Sequence, residues 1–300
     1  MSILVVGSIA YDTVETPFGK VDNALGGSTL YFSAAASLFS PVNVVGVIGS
    51  DFDTSHLEFL KKRSVNFDGL YTEKGDTFRW GGRYHSNMNQ RDTLFTYLNV
   101  FENFNPQIPE QYKKARYVFL ANIAPELQLQ VLEQIEKPQL VVLDTMNFWI
   151  SGKRAELEKV VRQSNIVIMN DEEVLEFTGE VNIIKAVKAI TALGPDKVVV
   201  KKGEHGALLY SGSGSFFITP AYPVERVVDP TGAGDSFAGG FLGYIAQKED
   251  SGEETIRKAL VFGCTMASFT VEDFSLDNLK KLDNNRLDKR FAEMKELTRF

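Results

Sequence analysis

Short, largely apolar runs alternate with longer mixed stretches along most of the chain. Ile3–Gly7 is such a run, closed by a glycine. Val42–Ile48, Tyr117–Leu120, Leu140–Leu143, Ile166–Met169, Lys197–Val200 and Ala207–Tyr210 repeat the pattern. Apolar runs of this length are what strands buried on both faces require. Helix-like segments fall between most of them, at 54–63, 125–136, 153–163 and 171–192. Gly26–Phe39 opens on two glycines, carries Ala34, Ala35 and Ala36 at its centre and ends at Pro41. It predicts a helix packed closely against a neighbour. Helices at about 233–247 and 253–270, and a charged helical tail, close the chain. This alternation predicts an α/β fold with a mostly parallel sheet covered on both faces.

Residues 71–103 depart from the pattern. Phe78–Tyr84 and Thr93–Val100 alternate with period 2 and are joined by the polar link Asn87–Asp92. Phe78, Trp80 and Tyr84 share one side of the first segment, and Phe95 and Tyr97 one side of the second. They predict an antiparallel ribbon set apart from the main sheet. Its aromatics read as the ribbon's own core, as a contact with a second copy, or as a stacking surface for a nucleobase. No repeat or Pro/Gly-rich linker marks a boundary, so 1–300 reads as one α/β unit from which the ribbon grows.

Composition then narrows the class. The 300 residues are 44% apolar and 24% charged, ordinary values for a globular chain with a large core. The net charge is −7 at pH 7. The longest cation clusters, Lys61-Lys62-Arg63 and Lys280-Lys281, sit in helix-like stretches and read as solvated faces. No nucleic-acid partner is expected. Cys264 is the single cysteine, and His56, His85 and His205 are far apart, so neither a disulfide framework nor a zinc spacing is present. The N-terminal run lacks a basic flank, and no run of 18 apolar residues occurs, so no signal peptide or membrane span is expected. The expectation is a cytoplasmic enzyme.

The strongest chemical signal is Asp229-Pro-Thr-Gly-Ala-Gly-Asp235-Ser-Phe-Ala-Gly-Gly240. Gly232, Ala233 and Gly234 present backbone amides with little side-chain bulk where a helix begins. The first amides of a helix lack internal partners and carry partial positive charge, which makes an anion site. Asp235 falls in the first turn, where the donors around it favour its ionised form. A carboxylate there can orient an attacking hydroxyl and accept its proton, which is most of what a loose phosphoryl transfer asks of a base.

On this run the chain resembles the PfkB-type carbohydrate kinases of the ribokinase-like superfamily, whose C-terminal signature residues 229–240 match without a gap. The resemblance extends through weaker motifs over nearly all of the chain. It implies a three-layer sandwich with a mostly parallel central sheet and a small β lid, the ribbon at 71–103 being its main part. It implies Asp235 as catalytic base, residues 232–234 as the anion hole, and ATP and Mg2+ as cofactors. Asn170-Asp-Glu-Glu173 matches a motif tied to Mg2+ and phosphate positioning; the same residues also read as a helix cap with acids in its first turn. Lys201, Gly203 and Gly206 match a strand and hairpin that border the nucleotide, with Lys201 either a phosphate contact or a surface lysine. Asp229 and Thr231 stand where some members support a monovalent cation such as K+, and Thr231 borders the nucleotide.

The resemblance also places substrate. Asp12, Gly26 and Gly27 match positions that hold sugar hydroxyls, and Asp144-Thr-Met-Asn147 loosely matches a segment in which Asn147 lies close to both substrates. Ala10 and Tyr31 stand where sugar-specific members often carry Asn, which leans the acceptor toward a nucleoside. Lids of this kind pair in some members, which allows a homodimer through the lid. The expected activity is phosphoryl transfer from ATP to a hydroxymethyl group of a sugar or nucleoside. Its rival is a catalytically silent nucleotide- or sugar-sensing protein of the same fold. Gly7-Ser-Ile-Ala-Tyr lacks the dinucleotide-binding glycines, and no Gly-x-x-x-x-Gly-Lys-Ser/Thr run occurs, which sets aside a Rossmann oxidoreductase and a P-loop kinase.

Overall fold

A computed structural model describes residues 2–299. Thirteen strands are formed among these: β1 (Ile3–Val6), β2 (Ala10–Thr16), β3 (Gly19–Gly26), β4 (Val42–Gly49), β5 (Val65–Glu73), β6 (Phe78–Tyr84), β7 (Arg91–Tyr97), β8 (Tyr117–Leu120), β9 (Leu140–Asp144), β10 (Ile166–Asn170), β11 (Lys197–Lys201), β12 (Ala207–Ser211) and β13 (Phe216–Thr219). Nine make the main sheet, in the order β13-β12-β11-β10-β9-β8-β1-β4-β5. From β11 to β5 the neighbours run parallel, and β12 and β13 close one edge antiparallel.

Alternation along each strand divides the core in two. Ile3 and Val5 face one side with Val42, Val44, Phe119 and Val142; Leu4 and Val6 face the other with Val45, Val118, Leu120 and Leu143. The first side is covered by helices Ser28–Ala36, Ala233–Lys248 and Glu253–Thr270, the second by Pro125–Gln134, Arg154–Gln163, Asp171–Thr178 and Ile183–Thr191. The result is a three-layer α/β sandwich, the ribokinase-like arrangement. Every residue of helix Ser28–Ala36 is buried. Its alanines meet the glycines of the facing helix so closely that a Cβ on Gly239 would come 2.4 Å from the Phe32 carbonyl oxygen. That approach fixes where the helix carrying Asp235 begins.

Strand order reverses at β1, which lies between β4 and β8. In open parallel sheets a crevice opens at such a point, outside the strands' carboxyl ends. A second sheet, β3-β2-β6-β7, stands over this crevice. The ribbon β6–β7 is antiparallel as the alternation predicts. The rest of the sheet is a hairpin from residues 10–26 that the sequence reading leaves unassigned, joined to β6 through a parallel β2–β6 pairing. Asp12, Glu15, Lys20 and Asp22 interrupt its apolar residues, and the β6 strand that joins it to the sheet lies more than fifty positions away, so no continuous apolar run reveals the strands. Residues 71–73 belong instead to β5 of the main sheet.

Two helix expectations change. The stretch 171–192 is two helices, since Gly179 ends the first in a left-handed conformation and Asn182 caps the second. The stretch 54–63 shortens to a 3-10 turn, Thr54–Leu57, and a single α turn, Glu58–Lys61. Among the described residues no helix is long and apolar enough to cross a membrane.

Candidate active site

The signature segment forms the floor of the crevice. Asp229 is buried and ties the segment down: Oδ1 accepts the Thr231 amide at 2.8 Å and Oδ2 the Ser275 amide at 3.2 Å. Gly232 then takes φ +76°, and the helix starts at Ala233 with Asp235 in its first turn. A side chain at Gly232 is excluded twice, by that φ and by Tyr31, whose ring lies 2.3 Å from where a Cβ would stand. Tyr31 is almost wholly buried and therefore acts as a plate beneath the amides of 232–234.

Three adjacent strands deliver the other groups from their carboxyl ends. Asp144 ends β9, Asn170 ends β10 and Lys201 ends β11, with Asn170 and Lys201 directly opposite in the ladder. The Lys201 ammonium donates to Asp144 Oδ1 at 3.0 Å, and its Nζ lies 3.0 Å from where a Cβ on Gly234 would be. Lys201 is therefore pressed between a carboxylate and the first turn of the Asp235 helix. Burial alone would lower its pKa; the charges of Asp144, Glu173 and Asp235 outweigh burial and hold it above the usual lysine range. Lys201 is therefore enclosed and paired rather than a free surface lysine.

Asn170 and Glu173 form a reciprocal cap. Asn170 Oδ1 accepts the Glu173 amide and Glu173 Oε2 accepts the Asn170 amide, both at 2.7 Å. The cap leaves Glu173 Oε1 without a hydrogen-bond donor among the described residues and aims the carboxylate at Lys201 and Asp144. Among the described residues no group of three or more His, Cys, Asp or Glu side chains is arranged to hold a metal ion. A magnesium ion that keeps its waters and rides on phosphates needs only one or two carboxylates, and Glu173 with Asp144 fits that lighter requirement.

The acidic groups resist ionisation. Burial, with Asp144 beside it, pushes Asp235 up to about 7, against the opposing pull of Lys201 and its own amide. This corrects the expectation that surrounding donors dominate. Burial likewise pushes Glu173 up to about 7. Asp12, on β2, is pushed up to about 8 by burial and by the charges of Asp229 and Asp235, although the Gly27 amide donates to it. Its carboxylate lies so close to Gly26 that a Cβ there would stand 1.9 Å from Oδ2. The two glycines thus let the second sheet's acid reach the crevice.

Not every expected residue joins this group. Asn147 is exposed, and its Oδ1 accepts the Phe148 amide at 3.0 Å; Asp144, three residues earlier, occupies the site in its stead. Gly203 and Gly206 shape the β11–β12 hairpin, both with positive φ. Gly203 faces Asn89 from the second sheet, whose Oδ1 would be 3.8 Å from a Cβ. Cys264 is buried, which pushes its thiol up to about 12, out of the reactive range. Two residues of the second sheet were not anticipated: Tyr84, whose hydroxyl is 3.1 Å from Thr231 Oγ1, and Arg91, opposite Tyr84 in the ladder. Tyr84 stood in the alternating segment Phe78–Tyr84, whereas Arg91 lay in the polar link Asn87–Asp92, where nothing marked it.

A parallel sheet whose carboxyl ends supply a lysine and carboxylates, over a helix N-terminus with an acid in its first turn, defines an enzyme that handles a phosphoryl group. The pfkB family carbohydrate kinase profile matches residues 2–281. A cytidine kinase of Thermococcus kodakarensis is 32% identical over 249 residues, covering 81% of this chain and 87% of the relative. A nucleoside kinase of Methanocaldococcus jannaschii is 25% identical over 250 residues, 81% and 79% of the two chains. A crystal structure of a nucleoside kinase from that organism, described as an archaeal member of the ribokinase family, superposes with a TM-score of 0.77 at 21% identity and covers 97% of this chain and 98% of its own. The chain belongs to the pfkB family of carbohydrate kinases, and is a phosphotransferase with an alcohol group as acceptor.

Proposed function

We propose that the protein transfers the γ-phosphoryl group of ATP to the hydroxymethyl group of a nucleoside's ribose. The observation that carries this reading is the position of Asp235, in the first turn of a helix whose opening amides make an anion site, with a carboxyl held near neutrality. A carboxylate whose pKa is raised toward neutrality accepts a proton more readily than an ordinary one. The acceptor O–H gives its proton to Asp235. The acceptor oxygen forms a bond to the γ-phosphorus, the bond from that phosphorus to the β,γ-bridging oxygen breaks, and its electron pair leaves on ADP. The amides of 232–234 and Lys201 hold the charge of the group in transit. Asp12, with Gly26 and Gly27, holds the acceptor's hydroxyls from the second sheet. That sheet covers the crevice and excludes water as a competing acceptor.

Magnesium bound to the phosphates would neutralise their charge; Glu173 would hold it with Asp144 nearby, while Asn170, expected beside Glu173, gives its side-chain oxygen to the cap. Nucleoside is preferred over free sugar because Tyr31 and Ala10 offer no amide to sugar hydroxyls and because the relatives are named cytidine and nucleoside kinases. Asp229 Oδ1 and Oδ2 each accept one amide, which leaves lone pairs free, so a potassium ion near Asp229 and Thr231 stays part of the reading; equal rates in potassium and in tetramethylammonium remove it. Pairing of two copies through the exposed β7 edge, where Leu94 and Tyr97 face out, is part of it, and a monomer by light scattering removes that part. A cytoplasmic location, where ATP is at hand, completes it.

An ATP-consumption screen over nucleosides, sugars and sugar phosphates tests the reading. Turnover of nucleosides supports it. Turnover of free sugars alone moves the acceptor, and turnover of none leaves a nucleotide- or sugar-sensing protein of the same fold.

A further inference from the structure

Arg91 opens β7, at the end of a link that the sequence presents as a solvated turn. Its surroundings differ from those of the chain's other surface cations. Directly opposite in the ladder is Tyr84, which is buried and whose phenol the nearby Arg91 charge holds down against the rise that burial causes. The Tyr84 hydroxyl lies 3.1 Å from Thr231 Oγ1, one residue before Gly232. The tip of the second sheet is thus docked on the signature loop, and Arg91, opposite Tyr84, stands beside that contact. From below, the Trp80 ring carries the guanidinium at 5.3 Å. Trp80 lies flat along its strand because Gly82 leaves room; a Cβ there would come 2.2 Å from the ring.

The charge of Arg91 reaches Asp12, Glu173 and Asp235. These acids sit on three separate elements: the second sheet, the helix after β10 and the signature helix. Directly opposite residues of a ladder share a face, so Arg91 lies with Tyr84 on the face that meets Thr231, and its charge lowers the pKa of all three acids from there. Yet among the described residues none of the salt bridges involves Arg91. It is held by a ring and a phenol, both neutral, and its carboxylate neighbours stand farther off. Such a cation has no permanent anionic partner and is placed to meet a transient one.

The group in transit needs such a contact. Its charge is spread over three equatorial oxygens. The amides of 232–234 and Lys201 approach from the main sheet; Arg91 approaches from the second. A planar guanidinium donates two parallel hydrogen bonds, which suits two of those oxygens at once. We propose that Arg91 is a catalytic residue that donates to the phosphoryl group as it passes from ATP to the acceptor, brought there by the second sheet and aimed by Tyr84 and Trp80. This rests on the kinase reading above.

The test compares the wild type with Arg91→Gln, Arg91→Lys and Tyr84→Phe. Arg91 is exposed, so its variants should keep the wild-type circular dichroism and melting temperature. Arg91→Gln should lose about 10³-fold or more in kcat, the span known for arginines that stabilise phosphoryl transfer, with KM for ATP changed less than threefold. Arg91→Lys should recover part of the loss. Calorimetry should show ADP bound normally by Arg91→Gln, while the tighter binding of ADP with aluminium fluoride and acceptor is lost. Tyr84→Phe, which frees the guanidinium without removing it, should cost kcat less. If Arg91→Gln keeps kcat within threefold, or loses ADP affinity as much as kcat, the proposal is overturned. A wild type inactive on every acceptor removes the kinase reading first and this inference with it.

Discussion

The ammonium of Lys201 donates to Asp144 Oδ1 at 3.0 Å while resting against the first turn of the helix that bears Asp235. One cation from the end of β11 therefore offsets carboxylates from β9, from the helix after β10 and from the signature helix. Lys201→Met would strand three acids around an apolar side chain. Breaking a buried pair from one side costs about 3–5 kcal/mol. Denaturant unfolding should show a loss of that order. The double variant Lys201→Met with Asp144→Leu should recover part of it, because no charge of the pair is left buried. A Lys201→Met protein as stable as the wild type would show that this pair is not a stabilising element.

Asp235→Asn keeps the shape of the first turn and removes the proton acceptor. Turnover should fall by about 10²–10⁴-fold, with ADP affinity by calorimetry nearly unchanged. Near wild-type turnover would remove Asp235 as base.

The same residue sets the pH dependence. A base must be ionised to act, and the Asp235 carboxyl is pushed up to about 7. kcat/KM for the acceptor should therefore rise with pH through about 7 and level off above it. An acid limb near the ordinary carboxylate range, about 4, would place the base elsewhere.

Asp12 makes a prediction about the fold itself. Its pKa is raised to about 8 in the folded state, chiefly by burial. A carboxyl whose folded pKa is raised contributes its stability in full below the unfolded value and loses it as pH climbs through the folded one. Between about pH 4 and 8 the wild type should lose stability on this account. Asp12→Asn escapes the loss and can still accept the Gly27 amide. At pH 8 it should melt at least ~2 °C higher than the wild type, and at pH 4 the difference should vanish. Equal melting at both values would show that Asp12 is not held against ionisation.

Glu173 separates a cap from a charge. Glu173→Gln can still accept the Asn170 amide, so the helix should remain capped and stability change by less than about 0.5 kcal/mol. Its charge toward phosphate-bound magnesium is lost, so the magnesium concentration giving half-maximal rate should rise several-fold. Excess chelator should abolish turnover in both proteins. An unchanged magnesium dependence would leave Glu173 as a helix cap alone.

Much of the fold is legible because its strands are buried on both faces and therefore read as apolar runs. β1, β4 and β8 to β12 appear within a residue or two of their observed ends. β2, β3 and β5 are mixed in polarity, so no apolar run marks them, and β2 joins its sheet through β6, more than fifty positions away. The same divide runs through the site. Asp235 and residues 232–234 stand in one contiguous run whose glycines, helix start and acid make sense together. Asp144, Tyr31, Tyr84 and Arg91 have no such local setting.

The sequence by itself determined the alternation of buried strands and helices from which a parallel sheet follows, and the helix N-terminus with its acid, whose residues are contiguous, and through these the class of chemistry. Tertiary structure alone decided which charges meet. It set Lys201 against Asp144, put Tyr31 beneath Gly232, and turned Arg91 from a surface turn into the crevice. It also raised Asp235 toward neutrality, because burial and a neighbouring carboxylate from another strand outweigh the local amide that the sequence displays. Electrostatic energies depend on distance through space, and a chain read in order does not contain those distances.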